Sequence, residues 1–200
     1  MNKQGTIYSM IFMFIVAFAF VFLLSLTNEA TRAQVELNQE VARKRAVLSA
    51  LGVESLTDDE VLSRFEEVEQ LENDGMTVFR ATVDGETVYA KQFSGSGLWG
   101  TITGVLGVNG DVSATVGLEI INHNETPGLG GRITEQWFTE QFAGEQIAGE
   151  GITFTAGDGD TDYDNSEVDG ITGASRTTES MERIINREIE TLQSLVGGNA

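Results

Sequence analysis

Residues Ile7 to Leu26 form a run of twenty without a charged side chain, rich in Phe, Ile, Leu and Val. About 20 apolar residues are needed to cross the hydrocarbon core of a bilayer as a helix. In that medium every backbone polar group of a single span must be satisfied within the span, which leaves helix as its conformation. A signal-peptide apolar region is shorter, roughly 7–15 residues, and Thr27-Asn28-Glu29 offers no small-residue cleavage site. Residues 1–27 are therefore read as a retained transmembrane anchor, and any folded domain must be built from the residues after it. Charge does not decide the orientation: Lys3 and the amino terminus stand on one side, Glu29 and Arg32 on the other, with Arg43-Lys44-Arg45 at the edge of the counting window.

The formal net charge is −19, and within the first 26 residues the sole charged side chain is Lys3. Phosphate backbones bind to the opposite field, so nucleic acid is excluded as a partner. The chain has no cysteine, which excludes disulfides, cysteine-ligated iron–sulfur clusters and thiolate metal sites. Two hundred residues leave room for one anchor and one domain with a sizeable core.

From Asn28 to Leu51 a helical stripe of Ala33, Leu37, Val41, Leu48 and Leu51 predicts a stalk helix, stopped by Gly52. Thr57-Asp-Asp-Glu60 reads as a capping box opening a second helix that runs to about Leu71. These make residues 28–72 a juxtamembrane helical segment and 73–200 the domain proper. After Asp74-Gly75 the period changes to alternation. Thr77–Val83 and Glu86–Lys91 flank Asp84-Gly85, and Thr101–Val108 and Val112–Ile121 flank Asn109-Gly110. Both turn dipeptides favour positive φ, so two hairpins are predicted. A helix over 134–142 carries Trp137, Phe138 and Phe142 as core, and Ile152–Thr155 is a short strand. The fold class is α+β: an N-terminal transmembrane helix, then a mainly antiparallel sheet with flanking helices.

Gly95-Ser-Gly97-Leu-Trp-Gly100 matches G-x-G-x-x-G, but the dinucleotide fingerprint requires a helix opening at the glycines, and Thr101 onward reads as strand. The stretch is read as a glycine bend with Trp99 in the core. His123, the sole histidine, lacks metal partners and a nucleophile signature, and is read as turn-forming. Asp158, Asp160, Asp162, Asp164 and Asp169 fall at positions 1, 3, 5, 7 and 12 of a calcium loop, yet Tyr163 replaces the position-6 glycine and Asp the position-12 glutamate. A solvated loop is the preferred reading of that stretch.

Two motifs remain. Asp169-Gly-Ile-Thr172-Gly173-Ala174-Ser175-Arg-Thr177-Thr178 packs hydroxyls and small residues into a turn before a helix read over Glu179–Leu195, with Ile184, Ile185, Ile189, Leu192 and Leu195 on one face and Gly197-Gly198 beyond it. Such a turn suits a phosphate, through free N–H groups and the positive dipole end; it also suits a plain N-cap by Ser175 with Thr178. Upstream, Glu125-Thr126-Pro127-Gly128-Leu129-Gly130 holds the sole proline, and is either a structural turn or a turn with N–H groups open to a ligand.

Together with Gly97-Leu98-Trp99, these two motifs resemble the FMN-binding domain found in the C subunit of the sodium-pumping NADH:quinone oxidoreductase and the G subunit of the Rnf complex. In that family the pattern is Asp, two residues, Ser/Thr-Gly-Ala-Thr/Ser, one residue, Thr/Ser, filled here from Asp169 to Thr177, and its last hydroxyl carries FMN through a phosphodiester bond. The resemblance implies Thr177 as the acceptor of covalent FMN. Around it, Thr172, Gly173, Ala174, Ser175 and Asp169 form the motif, and Glu125, Thr126, Gly128, Leu129 and Gly130 contact the ring or ribityl chain. It further implies an electron-carrying flavoprotein subunit of an ion-translocating oxidoreductase, with no catalytic or metal-ligating residue of its own. The domain would lie on the extracytoplasmic side of the cytoplasmic membrane, be matured by a flavin transferase using FAD and magnesium, and sit among other membrane subunits. The alternative from a different class is a membrane-tethered extracytoplasmic module that holds its ligand non-covalently.

Overall fold

The computed structural model describes residues 3–53, 57–73, 75–149, 151–157, 159 and 161–196. Two compact units divide the chain, Met1–Glu40 and Val41–Ala200. Helix α1, Lys3–Ala50, begins in the first and ends in the second. Its N-terminal part is long and apolar enough to cross a membrane, and the side chains of that stretch are exposed in the isolated chain. Of the predicted stripe, Ala33 and Leu37 are exposed, Val41 is half-buried, and Leu48 and Leu51 are buried, together with Ala46, Val47 and Ala50 outside the stripe. Gly52, at φ +86, stops the helix. Its N–H reaches Ser49 O at 2.9 Å and that of Val53 reaches Leu48 O at 2.9 Å, a Schellman closure that satisfies the last carbonyls.

The second unit is a three-layer arrangement. Five antiparallel strands run in chain order: β1 Glu69–Asn73, β2 Met76–Val83, β3 Glu86–Ser96, β4 Thr101–Asn109 and β5 Thr115–Asn122. One face carries the end of α1 and helix α2, Asp58–Phe65, packed on Phe79, Val88, Ala90 and Val105. The other carries helix α4, Ser175–Val196, whose Ile184, Ile185, Ile189 and Leu192 meet Phe93, Ile102, Leu106 and Val108. A strand covered on both faces loses its polar–apolar alternation, and β4 is buried at most of its positions. Gly107 and Gly117 pair across β4 and β5. A Cβ on Gly107 would overlap the Ala50 carbonyl, so glycine admits the helix end to the sheet.

The remaining elements are helix α3, Gln136–Thr139, and a parallel pair, β6 Thr153–Ala156 with β7 Glu167–Gly170. Glu167–Gly170, where no strand is read from sequence, alternates between more exposed and buried residues along β7.

Four expectations need correction. The capping box forms, with the Thr57 backbone N–H donating to the Glu60 carboxylate at 2.8 Å, but α2 ends at Phe65, not Leu71. Residues 69–73 instead pair with β2, Glu69 opposite Arg80 and Asn73 opposite Met76, because a sheet edge offers ladder hydrogen bonds that helix propensity does not outweigh. Asp84-Gly85 is the expected hairpin turn, both residues at positive φ. Asn109-Gly110 is not: the loop runs through residues 110–114, the positive φ falls on the buried Val112, and the Asn109 side chain accepts the Ser113 and Ala114 N–H groups at 2.9 and 3.0 Å. The helix over 134–142 is broken into a 3-10 turn over 130–134, α3, and a second 3-10 turn over 140–142. Phe138 and Phe142 are buried as expected, whereas Trp137 is partly exposed under the Arg132 guanidinium. The predicted breaks at Asp74 and at Gly197-Gly198 lie outside the described residues.

Candidate functional site

Two turns of the same design meet beside the start of α4. In Thr126-Pro127-Gly128-Leu129 the Leu129 N–H returns to Thr126 O at 3.1 Å, and Gly128 has φ +73. In Ile171-Thr172-Gly173-Ala174 the Ala174 N–H returns to Ile171 O at 3.0 Å, and Gly173 has φ +82. Positive φ at the third position marks both as type II turns, a position that favours glycine and after it Asn. The first follows β5; the second leaves β7 and feeds α4.

Helix α4 starts at Ser175, earlier than its apolar period indicated, so Thr177 sits in its first turn and not before it. The N–H groups of Ser175, Arg176 and Thr177 therefore have no acceptor within the helix. Neither predicted N-cap acts as one: the Thr178 hydroxyl accepts the Ile171 N–H at 3.0 Å, tying the helix to the β7 exit. Thr177 is turned inward, with 1% of its surface exposed, and donates to Glu125 Oε2 at 2.6 Å. Glu125, 4% exposed, also accepts the Trp99 N–H on Oε1 at 3.0 Å. His123 sets this up as a turn former, its Nδ1 accepting the Glu125 N–H at 3.1 Å. A Cβ on Gly130 would overlap Thr177 Oγ1, and one on Gly97 would overlap Glu125 Oε1, so these glycines let two backbones close on the Glu125–Thr177 pair.

A cavity of about 430 Å³ opens at this point. Of the residues singled out from sequence, Thr177, Gly173, Ala174, Ser175, Glu125, Thr126, Leu129 and Gly130 line it. Gly128 sits on the exposed tip of its turn and is not part of the lining. Thr172 is turned to the far side of the motif, donating to Gly157 O at 3.3 Å and lining a separate cavity of about 320 Å³. Asp169 points away as well: its carboxylate accepts the Gly159 N–H at 2.9 Å and the Thr155 hydroxyl at 3.3 Å, bracing the β6–β7 loop. In that loop Asp158 and Asp160 lie outside the described residues. Asp164 is held above the ordinary carboxylate range by its hydrogen bond to Asp162. No group of three acids or histidines gathers among the described residues.

Three lining residues were not assigned to the site from sequence: Leu98, Trp99 and Arg176. Trp99 corrects the expectation of a core side chain, since 69% of it is exposed. Gly97 N–H donates to Gly100 O at 2.8 Å, so the G-x-G-x-x-G stretch is the tight β3–β4 turn that holds Leu98 and Trp99 at the cavity mouth. Its apolar exposed tip was the available signal.

Residues 97–190 match the family described as FMN-binding domain. Over that stretch the chain is similar to the FMN-binding domain family. The chain is 26% identical, over 88% of each chain, to the G subunit of the ion-translocating oxidoreductase complex of Methanosarcina acetivorans. It is 27% identical to the C subunit of the Na(+)-translocating NADH-quinone reductase of Pseudomonas aeruginosa, over 55% of this chain and 45% of that protein. Two solved structures share the fold. The C subunit of the Na(+)-translocating NADH-quinone reductase from Parabacteroides distasonis matches with TM-score 0.68 at 22% identity, covering 82% of this chain and 96% of that one. NqrC of Shewanella oneidensis matches with TM-score 0.69 at 21% identity, over 78% and 94%.

The residues at this cavity fit the chemistry of the FMN that the matching family is described as binding. Open N–H groups at a helix N-terminus, with Arg176 beside them, suit the phosphate. Leu98, Trp99 and Leu129 suit an apolar ring, being large and exposed around the same opening.

Proposed function

We propose that the chain is a membrane-anchored, covalently flavinylated electron-transfer subunit of an Rnf- or Nqr-type ion-translocating oxidoreductase, with FMN joined through its phosphate to Thr177. One observation carries the reading: the last hydroxyl of the motif stands in the first turn of α4, inside the cavity that the Glu125–Gly130 turn also lines. The helix N-terminus and Arg176 hold the phosphate, Leu129 and Trp99 cover the ring, and Gly173 keeps the backbone open beside Thr177. When bound, the flavin supplies reversible redox chemistry, and the protein supplies tether, orientation and field.

Residues 1–27 are the anchor, single-pass in the cytoplasmic membrane, with the domain on the extracytoplasmic side. A covalent link there prevents loss of a cofactor that could not be replaced. Maturation falls to a flavin transferase using FAD and magnesium, which reads the motif that includes Thr172 and Asp169. The domain relays electrons among the membrane subunits of its complex and turns over no soluble substrate by itself.

The test is a denaturing gel viewed under ultraviolet light, with intact mass alongside. Wild type fluoresces and carries the mass of one FMN; Thr177→Ala does neither. Flavin that absorbs in the native protein but is released on denaturation would replace this reading with a module holding its ligand non-covalently.

A further inference from the structure

The Glu125–Thr177 contact leads beyond the identity of the acceptor to the way it is activated. An alcohol is a weak nucleophile until a base takes its proton. Among the described residues that line the cavity, Glu125 is the one side chain that can accept that proton. Arg176 is a donor, and the other hydroxyls, Thr126 and Ser175, are no more basic than Thr177 itself. Asp169, the motif carboxylate, is spent on Gly159 and Thr155 outside the cavity. Glu125 Oε2 already stands 2.6 Å from Thr177 Oγ1, with both groups buried, and the Trp99 N–H fixes the orientation of the carboxylate through Oε1. Geometry of this kind is the first requirement of a general base.

We infer that Glu125 is the proton acceptor in the flavinylation of Thr177, so that the carrier domain supplies a catalytic residue for its own modification. The inference rests on the covalent reading above. Thr177 Oγ1 forms a bond to the phosphorus of the FMN half of FAD, the bond from that phosphorus to the bridging oxygen breaks, and AMP leaves with that oxygen. The Thr177 proton passes to Glu125 Oε2, and nothing is oxidised or reduced. The esterified Thr177 oxygen has no proton to donate, so the present hydrogen bond to Glu125 belongs to the unmodified chain.

The experiment uses the full chain in detergent with purified flavin transferase, FAD and magnesium, following intact mass and in-gel fluorescence with time. Glu125→Gln keeps the shape and one acceptor for Trp99, but its amide can take no proton. It should lower kcat for modification by about 100-fold or more, with little change in KM for the carrier and an unshifted melting temperature. Glu125→Asp, which keeps the base but shortens its reach, should recover part of the rate. Modification of Glu125→Gln at the wild-type rate overturns the inference alone, as does a rate loss in both variants that merely tracks a lower melting temperature. Wild type that gains no mass under these conditions overturns the covalent reading, and the inference with it.

Discussion

Glu125 Oε2 and Thr177 Oγ1 lie 2.6 Å apart although 52 residues separate them in the chain. The bond joins the turn after β5 to the first turn of α4, and with them the two sequence motifs that the domain is built around. Backbone closeness on one side comes from Gly130, so that glycine is as much part of the site as the side chains it admits.

Gly130→Ala tests that closeness. The added Cβ would overlap Thr177 Oγ1 and fall 2.9 Å from Glu125 Oε2, and both are buried. Overpacking of this kind costs roughly 1–3 kcal/mol. The variant should fold with a lowered urea midpoint and take up markedly less covalent flavin. Undiminished FMN mass at an unchanged midpoint would mean that the pair tolerates a methyl group between its backbones.

At Gly173 the restriction is conformational. A Cβ there would meet nothing closer than Leu129 at 3.8 Å, but φ is +82. Left-handed backbone costs a typical L-residue about 1–2 kcal/mol, whereas Asn enters it readily. Gly173→Val should therefore block flavinylation with Thr177 in place, and Gly173→Asn should retain most of it, both read by intact mass. Equal loss in the two variants would shift the explanation from backbone strain to crowding of the cavity.

Lys91 on β3 and Glu188 on α4 form an ion pair across the sheet–helix interface, with 11% and 5% of their side chains exposed. Removing one partner of a buried pair strands the other, at about 3–5 kcal/mol. Arg187 remains beside Glu188 at 2.8 Å, so the effect belongs at the low end of that range. Lys91→Met should lower the urea midpoint, and adding Glu188→Leu should restore it. A double variant no more stable than the single one would show that the pair contributes net stability.

Glu119 on β5 is pushed above the ordinary carboxylate range by burial, with only a 3.4 Å hydrogen bond from the Ser49 hydroxyl in opposition. A raised carboxyl pKa means that the folded chain holds its proton more tightly than the unfolded chain does. Stability then falls as pH rises through the window above the ordinary value. Glu119→Gln, which mimics the neutral form, should raise Tm at neutral pH and lose that advantage as the pH is lowered through the same window. A Tm difference independent of pH would place the cause elsewhere.

Periodicity and local chemistry determined a good deal by themselves. The apolar run, the Gly52 stop, the Thr57 capping box, the Asp84-Gly85 hairpin and the apolar face of α4 each depend on contacts within a few residues. So do the two type II turns, since Pro127-Gly128 and Gly173 carry their preference in their own backbones. Tertiary structure alone decided the rest. Glu69–Asn73 became a strand because β2 offered a free edge. Trp99 went outward because the β3–β4 turn ends at a cavity mouth and not in a core. Thr172 and Asp169 parted from Thr177 because Asp169 lies in β7 and Thr172 in the Ile171–Ala174 turn, where their side chains bond to the β6–β7 loop, whereas Thr177 stands in α4. Above all, Glu125 acquired its partner from a turn 52 residues away. A hydrogen bond between distant turns leaves no period in either one, and it exists only once the sheet and α4 have fixed where both stand.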